Sequence, residues 1–193
     1  DEASPVCQAC GACAFVCPTG KLRPEDLWGR RPSPLREPFE EGLGRRPTIN
    51  RPFPSAVPGI PAIDRSNCVH FTTGHCGVCQ KVCPAGAIDY DQAARERSLE
   101  VGAIVLSPGF KRFDPSGLGE LGFGRFPNVV TSIQFERILS ASGPTMGVVK
   151  RPSDGAHPKR IAFLQCVGSR DKRTHLYCSA FCCMQATKEA MIA

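Results

Sequence analysis

Twelve cysteines, grouped rather than scattered, are the residues of this 193-residue chain whose types and spacing could do chemistry. The first group follows the spacing C-x2-C-x2-C-x3-C-P and comprises Cys7, Cys10, Cys13, Cys17 and Pro18. This spacing predicts a 4Fe-4S cluster, because three thiolates separated by two residues each wrap one tight loop around three irons. The fourth cysteine lies too far along the turn to reach the same cluster, and in two-cluster proteins it ligates the other one.

A second run, over residues 76–84, repeats the end of that pattern, and Cys68 supplies its missing first ligand. Seven residues separate Cys68 from Cys76 instead of the usual two, so we expect residues 69–75 to form a loop. If the two runs exchange their fourth ligands, the motif rule predicts two ligand sets. These are Cys7, Cys10, Cys13 and Cys83 for the first cluster, and Cys68, Cys76, Cys79 and Cys17 for the second.

Two alternatives to this cysteine assignment stay open. His70 and His75 lie in the expected loop, and one of them could be a ligand, although four cysteines suffice and histidine ligation of such clusters is rare. Structural zinc in four-cysteine sites is the other alternative, and it uses two C-x2-C pairs per ion. The triple run followed by Cys-Pro fits zinc poorly, so the spacing favours clusters.

Four further cysteines form a third candidate group: Cys166, Cys178, Cys182 and Cys183. Cys166 ends a predicted strand, at the position where open α/β sheets bind their ligands. Cys178 and Cys182 are four residues apart and would share one face of a helix that begins near Ser179. Spacing alone leaves two other interpretations open, namely buried free thiols and a vicinal redox pair.

The segment between the first two groups, residues 18–61, contains ten of the 18 prolines and seven arginines. Proline excludes a long helix or a central strand. The segment also keeps several large apolar side chains, so we predict an ordered strap rather than a disordered linker. With short strands at 62–64 and 87–90, these features predict a two-cluster ferredoxin-like domain over residues 1–91.

After residue 92 the pattern becomes that of an α/β domain. The predicted elements are buried strands at 101–107 and 160–166, a helix from Thr131 or Ser132 to about Ser140, and a helix from Ser179 onwards. Residues 117–122 have the letters G-x-G-x-x-G. Because no strand precedes them and no helix follows, we reject a dinucleotide-binding site there.

The bulk composition narrows the function classes. The formal net charge of +6 comes without a basic helix or an aromatic platform, which argues against nucleic-acid binding. No run of about 20 apolar residues occurs, so no membrane span is predicted. Clustered cysteines of this type indicate a reducing, cytoplasmic setting. Because the sequence begins at Asp1 and stops within a predicted helix, we expect it to be an internal fragment.

Several motifs resemble those of the A subunit of heterodisulfide reductase, a family of flavin and iron–sulfur proteins of methanogens and other anaerobes. The most specific are residues 165–171, QCVGSRD, and residues 177–184, YCSAFCCM. Other matching stretches are 7–18, 51–58, 76–90, 127–132, 140–145 and 151–155. The resemblance therefore extends over nearly the whole chain.

The resemblance implies an α+β to α/β architecture: a two-cluster ferredoxin-like domain joined to part of a thioredoxin-reductase-like flavin domain over residues 92–193. It implies that Cys166, Cys178, Cys182 and Cys183 ligate a third 4Fe-4S cluster, and that the full-length protein binds FAD. The implied function is oxidoreductase electron transfer between FAD and partner subunits, with a redox partner such as ferredoxin or hydrogenase. The alternative is a stand-alone two-cluster ferredoxin-like carrier without enzyme activity.

Overall fold

The computed structural model describes residues 7–17 and 35–193. The spatial contacts between residues divide the chain into two compact units, with the boundary between Val101 and Gly102. Residues 18–34, which carry the first part of the predicted strap, lie outside the described residues.

The described residues of the first unit form three short helices and a two-stranded antiparallel sheet. The helices are α1 (Ala12–Val16), α2 (Val69–Thr73) and α3 (Val78–Val82). The strands are β1 (Ile49–Asn50) and β2 (Ala62–Ile63), with Ile49 opposite Ile63 and Asn50 opposite Ala62. A 3-10 turn at Arg65–Asn67 links β2 to α2. Helix α1 packs against α3 and β1, which brings the two cysteine runs together.

The core of this unit contains thiols as well as apolar side chains. Cys17, Ile49, Cys79 and Tyr90 are its buried members. Partly buried side chains pack around them: Cys13, Ala14, Val16, Ile63, Phe71 and Ile88. The hydrophobic interior of the unit is therefore the same region that holds the predicted cluster ligands.

The segment before β1 is held by backbone pairing and by one ion pair. Arg36 and Arg45 form an isolated antiparallel bridge. The Arg46 guanidinium donates to Asp64 Oδ2 at 2.7 Å, and both side chains are only 17% exposed. Hydrogen bonds from Ser66 and Arg46 hold the pKa of the Asp64 carboxyl well below its ordinary value. These contacts tie residues 35–46 to the turn that precedes Cys68.

The second unit contains two longer helices and extended segments without a sheet. Helix α4 (Ser132–Leu139) begins with a capping box, in which Thr131 Oγ1 accepts from the Gln134 N–H and Gln134 Oε1 accepts from the Thr131 N–H. Helix α5 (Cys182–Ile192) packs against α4. Phe135, Ile138 and Val149 are buried here, and the Phe135 and Phe163 rings meet edge to face at 5.7 Å.

Several sequence-based predictions of local structure are wrong. Residues 69–75 are not a loop but mostly helix α2, which ends at Gly74 in the left-handed region with φ 75°. The predicted strand at 87–90 does not form, and β2 pairs with β1 instead. The last helix begins at Cys182 rather than near Ser179, so Cys178 lies outside it and shares no helical face with Cys182.

The prediction of buried strands at 101–107 and 160–166 is also wrong, because neither segment forms a strand. Neither segment has strand pairing, and Ile104 and Val105 are 77% and 88% exposed. A strand requires a hydrogen-bonded neighbour, and these segments find none among residues 35–193. Residues 117–122 form parts of two 3-10 turns, Pro115–Gly117 and Gly119–Leu121, in agreement with the rejection of a dinucleotide fingerprint there.

Candidate metal centres

A cavity in the first unit is lined by four cysteines from three separate parts of the chain. Cys17 follows α1, Cys68 precedes α2, Cys76 lies between α2 and α3, and Cys79 is within α3. Three of them, Cys17, Cys68 and Cys79, are each 6% exposed. The remaining lining comes from Ile49, Val69, His70 and Tyr90. The structure thus brings together the four residues that the motif rule predicts for the second cluster.

A second group of thiols adjoins this cavity. Burial raises the pKa of the Cys13 thiol, and negative charge on Cys79, Cys7 and Cys83 raises it further. Cys7 and Cys83, which interact with Cys13 in this way, belong with it to the set that the motif rule predicts for the first cluster. Cys10, the fourth residue of that predicted set, is exposed. The interaction of Cys13 with Cys79 places the two groups side by side.

The loop that carries Cys7 and Cys10 and leads to Cys13 in α1 is curved by two residues in the left-handed region. Ala9 has φ 51° and Gly11 has φ 76°. Gly11 adopts this conformation without steric cost and immediately precedes α1. This curvature gives the short C-x2-C-x2-C run the shape of a loop around a compact group.

The third group is assembled in the second unit by a loop and a helix start. Negative charge on Cys182 raises the pKa of the Cys183 thiol, with smaller contributions from Cys166 and Cys178. A backbone hydrogen bond from Cys166 lowers the pKa of Cys182. Cys182 thus interacts with Cys166 and Cys183, and Cys178 contributes to the charge that acts on Cys183. Cys166 and Ala180 have positive φ angles of 59° and 56°, and these left-handed turns, rather than one helical face, bring the thiols together.

Hydrogen bonds to sulfur occur in both units. The Ala87 N–H donates to Cys83 Sγ at 3.3 Å, and the Ala180 N–H donates to Cys178 Sγ at 3.3 Å. The Ser179 hydroxyl lies 3.6 Å from Cys182 Sγ and donates to it. Donors of this kind stabilise thiolates and tune iron–sulfur clusters. These donors reach Cys83 of the first group and Cys178 and Cys182 of the third.

The choice between clusters and zinc rests on the number and spacing of the cysteines. Within residues 7–17 and 35–193, no three Cys, His, Asp or Glu side chains are set to bind one ion. Four thiols per predicted group match the ligand set of a 4Fe-4S cluster. The triple C-x2-C-x2-C run differs from the paired C-x2-C spacing of structural zinc sites.

His70 contributes to the cavity wall through packing. Its Nδ1 lies 2.6 Å from the Cys76 carbonyl oxygen, and its ring stacks on Tyr90 with centroids 3.7 Å apart. The His75 side chain is exposed, and its backbone N–H donates to Thr73 Oγ1.

Tyr90 is the functional candidate that sequence reasoning missed. Its hydroxyl lies 3.0 Å from Cys79 Sγ, and the side chain is only 9% exposed. Burial is the main reason that the pKa of its hydroxyl is raised, and the neighbouring Cys79 raises it further. The sequence marks Tyr90 only as the end of an apolar segment, so the pattern held no chemical signal for this contact.

Comparison with known proteins supplies independent findings. The 4Fe-4S dicluster domain family matches residues 6–87. The chain is 48% identical over 187 residues to the second iron-sulfur A subunit of the CoB–CoM heterodisulfide reductase of Methanopyrus kandleri, covering 96% of this chain and 26% of that protein. It is 42% identical over 188 residues to the corresponding A subunit of Methanocaldococcus jannaschii, covering 97% of this chain and 26% of the relative.

A third relative extends the comparison to another named system. The A subunit of the ferredoxin/F420H2-dependent CoB–CoM heterodisulfide reductase of Methanosarcina acetivorans is 42% identical over 188 residues, which cover 96% of this chain and 21% of that protein. The chain thus spans about a quarter or less of the length of these curated relatives. Among the residues described, no helix is long and apolar enough to cross a bilayer.

Proposed function

Since the chain is homologous to the A subunit of heterodisulfide reductase along nearly all of its own length, we propose that it carries single electrons between a flavin and partner subunits through three 4Fe-4S clusters. The cavity shared by Cys17, Cys68, Cys76 and Cys79 is the observation that carries this proposal. Four thiols from three chain segments converge there, in the combination that two-cluster ferredoxins use. A bound cluster would supply one-electron redox chemistry.

The proposed ligand sets follow the three groups of thiols. The first is Cys7, Cys10, Cys13 and Cys83; the second is Cys68, Cys76, Cys79 and Cys17; the third is Cys166, Cys178, Cys182 and Cys183. The thiolates hold the irons, while burial and the donors on sulfur set each reduction potential. Adjacency of the first two groups, supported by the charge interaction between Cys13 and Cys79, favours electron transfer between them.

The domain assignment is proposed in the same terms. Residues 1–91 would form the dicluster domain, and residues 92–193 would belong to a thioredoxin-reductase-like flavin domain. The exposed apolar segments 101–107 and 160–166 would then pair with strands supplied by the longer protein. Residues 117–122 do not fit a pyrophosphate, because they form 3-10 turns instead of a strand, a tight turn and a helix. We place the FAD phosphate site outside this chain.

The same premise suggests the cellular context. We propose that the chain acts within a cytoplasmic heterodisulfide reductase-like complex, as the iron–sulfur part of an oxidoreductase subunit that is inactive by itself. Ferredoxin or a hydrogenase would be its redox partner. The reducing setting that keeps twelve thiols available supports this location.

Anaerobic measurement of iron, acid-labile sulfide and zinc on the reconstituted chain tests the proposal. Three clusters predict about twelve irons and twelve sulfides per chain. About eight of each would limit the chain to a two-cluster carrier and remove the third ligand set. Zinc without sulfide would overturn the electron-transfer function altogether.

A further inference from the structure

If Cys79 is a cluster ligand, only Tyr90 can donate the hydrogen bond in the buried contact between these two residues. The Tyr90 oxygen and the Cys79 sulfur are 3.0 Å apart. A ligating cysteine is a thiolate, which has no proton to donate. The phenol, with an ordinary pKa near 10, keeps its proton at neutral pH and must be the donor.

Three contacts fix the Tyr90 hydroxyl in place. The ring stacks on His70 with centroids 3.7 Å apart and planes 13° from parallel. Phe71 meets the same ring edge to face at 5.8 Å. The Arg65 guanidinium donates to the Tyr90 backbone oxygen at 2.9 Å. The donor is thus held against the sulfur before any change of charge occurs there, and no reorientation is needed to strengthen the bond.

We infer that Tyr90 raises the reduction potential of the cluster held by Cys17, Cys68, Cys76 and Cys79, through its hydrogen bond to Cys79. Reduction adds negative charge to the cluster and its thiolates. A fixed O–H donor stabilises the reduced form more than the oxidised form, because hydrogen bonds strengthen as their acceptor gains charge. Tyr90 is a tuning residue, since it acts through Cys79 and supplies no ligand.

The two adjoining sites differ in the kind of donor that reaches a ligand sulfur. Cys83, assigned to the first cluster, receives the Ala87 backbone N–H, which no side-chain substitution removes. Cys79 receives a side-chain hydroxyl, which one substitution deletes. With the hydrogen bond from Tyr90, the second cluster would be easier to reduce than the same cluster without the hydroxyl. A larger fraction of the second cluster would then be in its reduced form. This inference rests on the ligand sets of the proposed function.

Redox titration of the cluster-loaded chain, followed by paramagnetic resonance, tests the inference with Tyr90→Phe. This substitution removes the hydroxyl and keeps the ring that packs on His70 and Phe71. We expect the reduction potential of one cluster to fall by about 59 mV, the value for a one-electron change. At a fixed solution potential, the ratio of reduced to oxidised cluster would then fall about tenfold. The couple that moves must be the one lost in Cys76→Ala.

Tyr177→Phe is the matched control, because it removes the only other tyrosine hydroxyl of the chain at a position that is 65% exposed. All couples should keep their potentials in this variant. Equal shifts in both variants, or no shift in Tyr90→Phe with full iron and sulfide content, would overturn the inference and leave the ligand sets intact. Absence of the second cluster from the unsubstituted chain would overturn both the inference and the proposed function.

A second measurement covers the case in which Tyr90→Phe fails to load its clusters. Growth with 3-fluorotyrosine in the Tyr177→Phe background places the fluorinated ring at position 90 alone. Fluorination makes the phenol a stronger donor, so the potential of the same couple should rise at pH 7. An unchanged or lowered potential would contradict donation from Tyr90 to Cys79.

Discussion

The two units place their cysteines differently with respect to their cores. In the first unit, Cys17 and Cys79 are themselves core residues, packed with Ile49 and Tyr90. In the second unit, Phe135, Ile138 and Val149 are buried, whereas Cys178 and Cys183 are exposed. The predicted ligands are thus part of the core in the first unit, whereas two of those in the second unit are exposed. Loss of the proposed clusters should therefore destabilise the first unit more than the second.

The largest expected effect is that of Cys68→Ala, which removes a ligand from the buried cavity. Metal binding contributes directly to folding where the ligands form the core. We expect loss of about four irons and rapid tryptic cleavage between Arg36 and Lys81, read by mass spectrometry.

Cys183→Ala is the matched variant in the second unit. It should also remove about four irons, but the first unit should resist trypsin as the unsubstituted chain does. Equal protease sensitivity of the first unit in both variants would contradict the difference between the units.

The next largest effect is expected for Ile138→Ala in α4, which tests the core of the second unit. Ile138 is 3% exposed, and truncation of such a side chain costs about 2–5 kcal/mol of unfolding free energy. Urea unfolding followed by helix circular dichroism should show α4 and α5 unfolding earlier, while the visible absorption of the clusters in the first unit persists. Ile192→Ala, at an exposed position of α5, is the control.

The smallest effect concerns the Arg46–Asp64 pair, which ties the segment before β1 to the turn that precedes Cys68. Asp64→Asn removes a charge-assisted hydrogen bond, so the unfolding free energy of the first unit should fall by about 2 kcal/mol at pH 7. Because folding lowers the pKa of Asp64 from an ordinary 3.8, its stabilisation is complete above that value and declines as the pH falls below it.

Urea midpoints of the metal-free chain from pH 7 to pH 3 check this dependence. The difference between Asp64→Asn and the unsubstituted chain should narrow below about pH 4. Asp91→Asn, at an exposed carboxyl, should leave the midpoints unchanged throughout. A difference that stays constant down to pH 3 would contradict the role of the Asp64 charge.

The sequence allowed prediction of those features that depend on near neighbours. The thiol spacings predicted that Cys17 joins Cys68, Cys76 and Cys79, and these four line one cavity. Helix α4 was predicted with Thr131 or Ser132 as its N-cap, and Thr131 takes that role together with Gln134, which lies within one turn of it. Gly74, which ends α2, is a comparable local signal, but the β-branched content of residues 69–73 concealed the helix.

Features that depend on distant residues could not be predicted. The strands expected at 101–107 and 160–166 need pairing partners, and an apolar run does not specify them. β2 pairs with β1 rather than with residues 87–90, and no local pattern selects between the two. The Tyr90–Cys79 bond joins residues 11 positions apart on different elements, and neither side chain alone signals the contact.

The position of Cys17 in the cavity has a consequence for biosynthesis. Cys17 leaves the ribosome before the three other cysteines that line the cavity, Cys68, Cys76 and Cys79. The cavity therefore cannot form until the chain from Cys17 to Cys79 has been synthesised. Until then the nascent chain presents unpaired thiols to its surroundings, and any factor that protects them must act during translation.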